Sequence, residues 1–486
     1  MKQAITILIL FLVSTLTVGC YDHLQEINTD PNNPTEVPPS YLLSNAQREL
    51  VEEILGLDAN TGHARWSMQY VQYWSNTLYT QTTRYQDVEE DWSTFYTEGL
   101  ADLQEIITIN TDPERMVEAR QYGSNNNQIA VARILQVWGF HNVTDIWGDV
   151  PYTEALQAGE NFSPAYDPQE MIYDKMIAAL DESIAMIEQG GSAPEGDLIF
   201  QGGMEKWKTF ANSLKLRLGM RMSEVAPGRA ETVVSEAVAG GVISSISENV
   251  YFPYLESSPN FNPWYYEAYV EGGSFNLAMT NTAIDKLKAY DDPRLYVYAA
   301  PSVDGNAYTG IPYGVESGIA SAYDNAEVSF HTDKVYNAPG RIMTYSEVLL
   351  LQAEAAQRGW ISGDPAALYE QGIRASMEEW DVPDSLDINA YLQQPEVAYD
   401  PASWRRQIGN QLWFALYTQP LETWAEWRRL DYPALQPAPD AFRDRDIPRR
   451  RGYPNSESDL NMANYQAAVE RQGPDVMSTR IWWDVE

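Results

Sequence analysis

The chain of 486 residues has one cysteine, four histidines and only eight lysines. A single thiol, Cys20, cannot close an internal disulfide, so a chain this long must rest on a packed core. The histidines (His23, His63, His141 and His331) are scattered without ligand spacing, which argues against a bound zinc or a histidine-based catalyst. Positive charge is scarce: 32 Lys and Arg face 69 Asp and Glu, a formal net charge of -37. Phosphate backbones need the opposite sign, so nucleic acid is excluded as a partner and adsorption to an anionic membrane surface is disfavoured. There is no Gly-rich phosphate loop, HExxH, CxxC or GxSxG. Nothing in the chain calls for a cofactor or a metal. Carboxylates are so numerous that pairing two of them as a glycosidase acid and nucleophile carries no information.

Long apolar runs are also missing, with one exception at the start. Ala4 to Val18 is uncharged, Lys2 supplies a positive flank, and Gly19 precedes Cys20. This is the pattern of a secretory signal (residues 1–19) with a lipoprotein-type cleavage site, and it is shorter than the ~20 residues that span a bilayer. Thr17 stands three before the cysteine, with Leu16 one step earlier. An ordinary secretory signal followed by an incidental cysteine is the alternative. Residues 20–40 hold four prolines and three asparagines and read as an extended tether. The remainder, 41–486, shows no linker and reads as one domain.

What the chain has in quantity is helical periodicity and aromatic rings with a polar edge. Asp167-Pro168-Gln169-Glu170 predicts a helix start, with Asp167 as the cap and Tyr173, Met176, Ile177, Leu180, Ile184 and Ile187 on one apolar stripe up to Gly190. Val131, Ile134, Leu135 and Trp138 form a second stripe. Ile342, Tyr345, Leu349, Ala353 and Ala356 form a third, which ends at Gly359. Asp364-Pro365 then opens another helix, predicting an αα-hairpin, the unit of helical repeats. The pattern predicts an all-α protein with a loop-rich insertion over about 241–340. In DIWGDVPYTEAL, Asp145 and Asp149 flank Trp147-Gly148; a turn held by aspartate capping is favoured over a cation site.

Tyrosines number 31 and tryptophans 15, against 12 phenylalanines. Flat apolar rings with polar edges match the C–H faces and hydroxyl rims of sugars. The aromatic-rich, non-periodic segments are therefore the candidate ligand surface. The first gives Trp74, Tyr79, Arg84, Tyr85 and Trp92. The second gives Asn262, Trp264, Tyr265, Tyr266 and Tyr269. The third gives Tyr308, Tyr313 and Tyr323. For any single ring, packing of loop against helix is the competing reading. Arginines outnumber lysines threefold; an acidic, lysine-poor surface suits either high salt or plain solubility.

Several segments carry a family likeness: Cys20 with INTDPNNP, WGDVPYTEAL at 147–156, KWKTFANSLKLRLGMRM at 206–222, DDPRL at 291–295, MTYSEVLLLQAEAAQRGW at 343–360, LWFALYTQPLETWAEWRRLDYP at 412–433 and the terminal RRRGYPNSE. In this order and spacing they resemble the SusD/RagB family of surface nutrient-binding lipoproteins. The resemblance implies tetratricopeptide-like helix pairs with loops on one face and a lipid anchor at Cys20. It also implies a place on the outer face of the outer membrane, and a SusC-like TonB-dependent transporter as partner. The cargo would be a glycan, or peptide as in some relatives. It implies a binding protein rather than an enzyme, against the alternative of a secreted helical glycoside hydrolase. The quoted motifs read as scaffold, and no ligand residue is carried over by match.

Overall fold

The computed structural model describes residues 37–485, apart from 58–61, 87–90, 158–160, 258–259, 271–275, 306, 324, 384 and 443–445. Cys20, the signal and most of the tether therefore lie outside the described residues. The principal helices are α1 (Pro39–Leu55), α2 (Ala64–Tyr70), α3 (Ala101–Thr111), α4 (Asn125–Trp147), α5 (Gln169–Met186), α6 (Met204–Arg221), α7 (Pro227–Gly240), α8 (Asn281–Ala289), α9 (Tyr345–Gln357), α10 (Pro365–Glu379), α11 (Trp404–Ala415), α12 (Pro420–Leu430) and α13 (Met462–Gln472). The protein is all-α. Among the described residues the strands form three two-stranded antiparallel ribbons: β1 (Trp74–Asn76) with β5 (Leu277–Met279), β2 (Val150–Pro151) with β3 (Tyr166–Asp167), and β4 (Val250–Phe252) with β6 (Gly340–Met343).

Consecutive helices pack as pairs: α4 on α5, α6 on α7, α9 on α10 and α11 on α12. The α9–α10 hairpin forms as the pattern predicts. Asp364 accepts the Ala366 N–H at 3.1 Å and Pro365 occupies the first turn. Gly372 of α10 lies against Leu350 of α9, where a Cβ would come within 2.9 Å of Leu350.

At α5 the cap is not the expected one. Asp167 spends its carboxylate on Thr153, accepting its N–H at 2.6 Å and its hydroxyl at 2.8 Å. The free end of α5 is served from a distance, by Asp149 Oδ1 accepting the Gln169 N–H at 2.8 Å. The helix ends at Met186, before Gly190. The turn at 147–149 is likewise not held by its aspartates. Gly148, at φ 87°, returns its N–H to the Thr144 carbonyl at 2.7 Å and accepts the Thr144 hydroxyl at 2.6 Å. A side chain at Gly148 would collide with Gln472.

The family-like motifs meet in a buried charge network. Arg217 of α6 forks onto Glu347 of α9 at 2.7 and 2.8 Å. Arg221 reaches Glu422 (2.7 Å) and Glu426 (2.5 Å) of α12 and lies 3.3 Å from Asp145 of α4. Arg429 forks onto Glu354 of α9, both contacts at 2.7 Å. Arg294 of DDPRL forks onto Asp292 at 2.9 and 2.7 Å. Planar guanidinium matches carboxylate bidentately where ammonium does not. Eight of the described arginines are buried, among them Arg341, Arg428, Arg450 and Arg451. Part of the arginine excess therefore belongs to the core and says nothing of the surface.

Candidate functional site

Three segments far apart in sequence meet at the β1–β5 ribbon. The register pairs Trp74 with Met279, Ser75 with Ala278 and Asn76 with Leu277. The Thr77 N–H extends the ladder to the Asn276 carbonyl at 2.8 Å. Because the strands run antiparallel, the first aromatic segment leaves the ribbon at the end where the second enters. The third is sewn to the other side of β5: Met279 N–H donates to Ser329 O at 3.0 Å, and Ile311 N–H donates to Met279 O at 2.9 Å.

Local chemistry decides which rings turn outward. Asn76 Oδ1 accepts the N–H groups of Leu78 (2.8 Å) and Tyr79 (2.7 Å), an Asx turn that leaves Tyr79 66% exposed. In the second segment Asn262 is a cap. Its Oδ1 accepts the Trp264 N–H at 2.7 Å and its Nδ2 donates to the Ala338 carbonyl at 2.6 Å. A short helical turn starts at Pro263 and widens over Tyr266–Val270. Tyr266 is 40% and Tyr269 51% exposed, with Tyr265 and Phe261 half-buried beside them. Ring centroids stand 5.1 Å apart for Tyr265–Tyr269, 5.7 Å for Phe261–Tyr265 and 5.3 Å for Tyr269–Tyr336. The Tyr269 hydroxyl donates to Asp333 Oδ1 at 2.7 Å; burial and then this carboxylate push the phenol up to about 12. The ring is thus held in one orientation before any ligand arrives.

The other candidates are placed differently. Trp264 points inward, 4% exposed, with its indole N–H on the Leu55 carbonyl at 2.8 Å. It meets Trp74 edge to face at 4.8 Å, and Trp74 in turn donates to the Tyr417 hydroxyl at 3.2 Å. These two rings come together beneath the surface, where neither offers a face. Tyr85 and Tyr313 are also buried, their hydroxyls 3.4 Å apart, with Tyr85 accepting the Ala438 N–H at 3.0 Å. Trp92 is buried with Trp147, Tyr166 and Tyr453 and belongs to the scaffold. Arg84 gives Nε to the Asp440 carbonyl at 2.7 Å and lies 4.3 Å over the Phe442 ring. Tyr323 is half-buried on a small apolar cluster of Ala278, Ile311, Ala320 and Val328. Tyr308 stands edge to face with the exposed Tyr296 at 5.5 Å.

The exposed candidates are therefore Tyr79, Tyr266 and Tyr269, with Tyr265, Tyr308 and Tyr323 half-buried. The structure adds the exposed Leu78 and Ile319, the half-buried Phe261, and Asp333 with Tyr336 as supports. Leu78 and Phe261 lie next to rings read from the sequence. Asp333 and Tyr336 sit in a four-residue helix that carries no aromatic-rich signal.

No group of three or more metal-ligating side chains is assembled among the described residues. The buried carboxylates of Asp145 and Asp149 have structural work. Asp145 accepts the Tyr173 hydroxyl at 2.6 Å and the Trp483 indole at 2.8 Å, and Asp149 holds α5 and Arg471. No helix among the described residues is long and apolar enough to cross a membrane.

Paired helices with exposed tyrosines on inserted loops describe a protein of the helical-repeat type. The chain belongs to the SusD-like family: the family described as starch-binding, associating with outer membrane, matches over residues 31–454. Among solved structures, a protein titled as chitin-binding is 30% identical, with a TM-score of 0.78 over 92% of this chain and 100% of its own. A SusD homologue from Bacteroides uniformis is 26% identical, at a TM-score of 0.77 over 92% and 100%. A chitin-binding SusD homologue from Flavobacterium johnsoniae shares the fold at 24% identity, with a TM-score of 0.78 over 91% and 99%. Comparison with curated proteins returned no match.

Proposed function

We propose that this chain is a cell-surface glycan-binding lipoprotein, anchored to the outer membrane through Cys20, that captures oligosaccharide and passes it to a SusC-like TonB-dependent transporter. The observation that carries the reading is the ribbon-organised tyrosine surface of Tyr79, Tyr266 and Tyr269 in a family described as starch-binding. Capture makes and breaks no bond. Sugar rings lie on the phenol faces while their hydroxyls meet nearby polar groups, and the open setting keeps many waters in place, so affinity per site is modest.

The test is isothermal calorimetry against a panel of polysaccharides, oligosaccharides and peptides. Chitin and starch oligomers come first, because solved neighbours are titled chitin-binding and the family starch-binding. Heat with a glycan, lost in a Tyr266→Ala/Tyr269→Ala variant, supports capture. A signal from peptides alone moves the reading to peptide capture, and release of new reducing ends moves it to a hydrolase. Copurification of a large β-barrel with the chain supports the transporter partner.

A further inference from the structure

The segments that carry the exposed rings are rich in acid, and the described guanidiniums beside those rings are already engaged. Residues 74–92 and 241–340 together hold sixteen carboxylate side chains and five basic ones. Arg65, beside the turn that carries Tyr266 and Tyr269, meets Glu267 at 2.7 Å and gives its Nε to the Leu57 carbonyl at 2.7 Å. Arg84 is held by the Asp440 carbonyl and Phe442, with Glu316 3.7 Å away. Lys334 meets Asp381 at 2.9 Å. Of the other three, Arg294 is fully buried on Asp292, Lys288 donates to the Tyr308 carbonyl, and Lys286 is half-buried on α8. Asp333 touches the surface directly, its carboxylate held against the Tyr269 hydroxyl at 2.7 Å.

We propose that this surface is selective for charge: it takes neutral or amine-bearing glycans and refuses glycans that carry sulfate or carboxylate. The proposal rests on the glycan-capture reading and names its substrate class. An anion seated on Tyr269 would lie close to Asp333 and within the field of a chain of net charge -37, and Arg65, the guanidinium beside it, is already neutralised by Glu267. A protonated sugar amine in the same place gains from the Asp333 carboxylate. At about 7 Å in a water-like dielectric that carboxylate changes affinity about threefold, in opposite directions for the two ligands. Neutral sugars feel neither term.

The experiment is calorimetry on the full chain in detergent with three ligands of one backbone and one length: a chitin oligomer, its deacetylated counterpart below the amine pKa, and its 6-O-sulfated counterpart. Each is titrated at about 20 mM and about 500 mM salt, where the Debye length falls from roughly 20 Å to roughly 4 Å. The expected result is that the deacetylated oligomer binds at least threefold tighter than the neutral one at low salt, that the two converge at high salt, and that the sulfated oligomer gives no heat at low salt. Asp333→Asn retains an acceptor for the Tyr269 hydroxyl and removes the charge, so it lowers the ratio of cationic to neutral affinity at low salt. A sulfated oligomer that binds as tightly as the neutral one at low salt overturns the proposal. A ratio unchanged in Asp333→Asn removes Asp333 from it. Silence of every glycan defeats the capture reading itself, and this proposal with it.

Discussion

Trp264 separates a ring that builds the surface from a ring that is the surface. From the sequence it ranks among the foremost ligand candidates, yet its indole is 4% exposed, hydrogen-bonded to the Leu55 carbonyl at 2.8 Å and packed edge-on against Trp74. Trp264→Ala removes a buried ring, for which large-to-small substitution costs about 3–5 kcal/mol, and it leaves the Leu55 carbonyl without its donor. That is a large share of the roughly 5–15 kcal/mol that holds a native protein together. Tyr269→Ala removes a half-exposed ring and one hydrogen bond, so its stability cost is about 1 kcal/mol. The expected outcome is a crossed pattern. In urea unfolding followed by circular dichroism, Trp264→Ala loses several kcal/mol and Tyr269→Ala little. In calorimetry at a temperature where both are folded, Tyr269→Ala loses about tenfold in glycan affinity, equivalent to about 1.4 kcal/mol, and Trp264→Ala loses less. A Trp264→Ala protein of near-normal stability and greatly weakened binding would refute the reasoning.

Other perturbations test the scaffold. Arg221→Met leaves Glu422, Glu426 and Asp145 buried without their shared guanidinium and costs about 3–5 kcal/mol by chemical denaturation. Burial works against ionisation of Asp145, but Arg221, His141 and Tyr173 outweigh it and hold the carboxyl at about 2, below its usual 3.8. This stability is complete above the unfolded pKa and is lost as pH falls from about 4 toward 2, so an acid titration of the urea midpoint is steep there and shallower in Asp145→Asn. Glu53 runs the other way. Burial lifts its carboxyl to about 8, so the folded state holds a proton that the unfolded state has released, and stability falls as pH rises from about 4.5 to about 8. Glu53→Gln flattens that decline, and a wild-type midpoint already level across this window counts against it.

The legible part of this fold is the part governed by local rules. The α9–α10 hairpin could be read because Asp364 caps its own helix and the apolar stripe repeats within it. Where the cap comes from elsewhere, the reading slips: Asp167 sits at the right place before α5, but Thr153 captures its carboxylate and Asp149, across a ribbon, serves the helix instead. The aromatic excess misleads for a related reason. Indole and phenol edges here staple loops to helices from within: Trp413 to Val71 O, Trp424 to Pro448 O, Trp147 to Gly452 O, Tyr298 to Phe414 O and Tyr453 to Asp149 O. Each is a long-range pairing that composition alone assigns to a ligand or to the core with equal ease. The middle loop obeys local rules as well. Asn262-Pro263 is a cap followed by a first-turn proline, so the residues after it are helical. Helical spacing then places Trp264 on one face and the four-apart pair Tyr265 and Tyr269 on another, with Tyr266 beside them. With Trp264 turned inward against Trp74, Tyr266 and Tyr269 are left exposed, and at the ribbon the Asx turn of Asn76 leaves Tyr79 exposed as well.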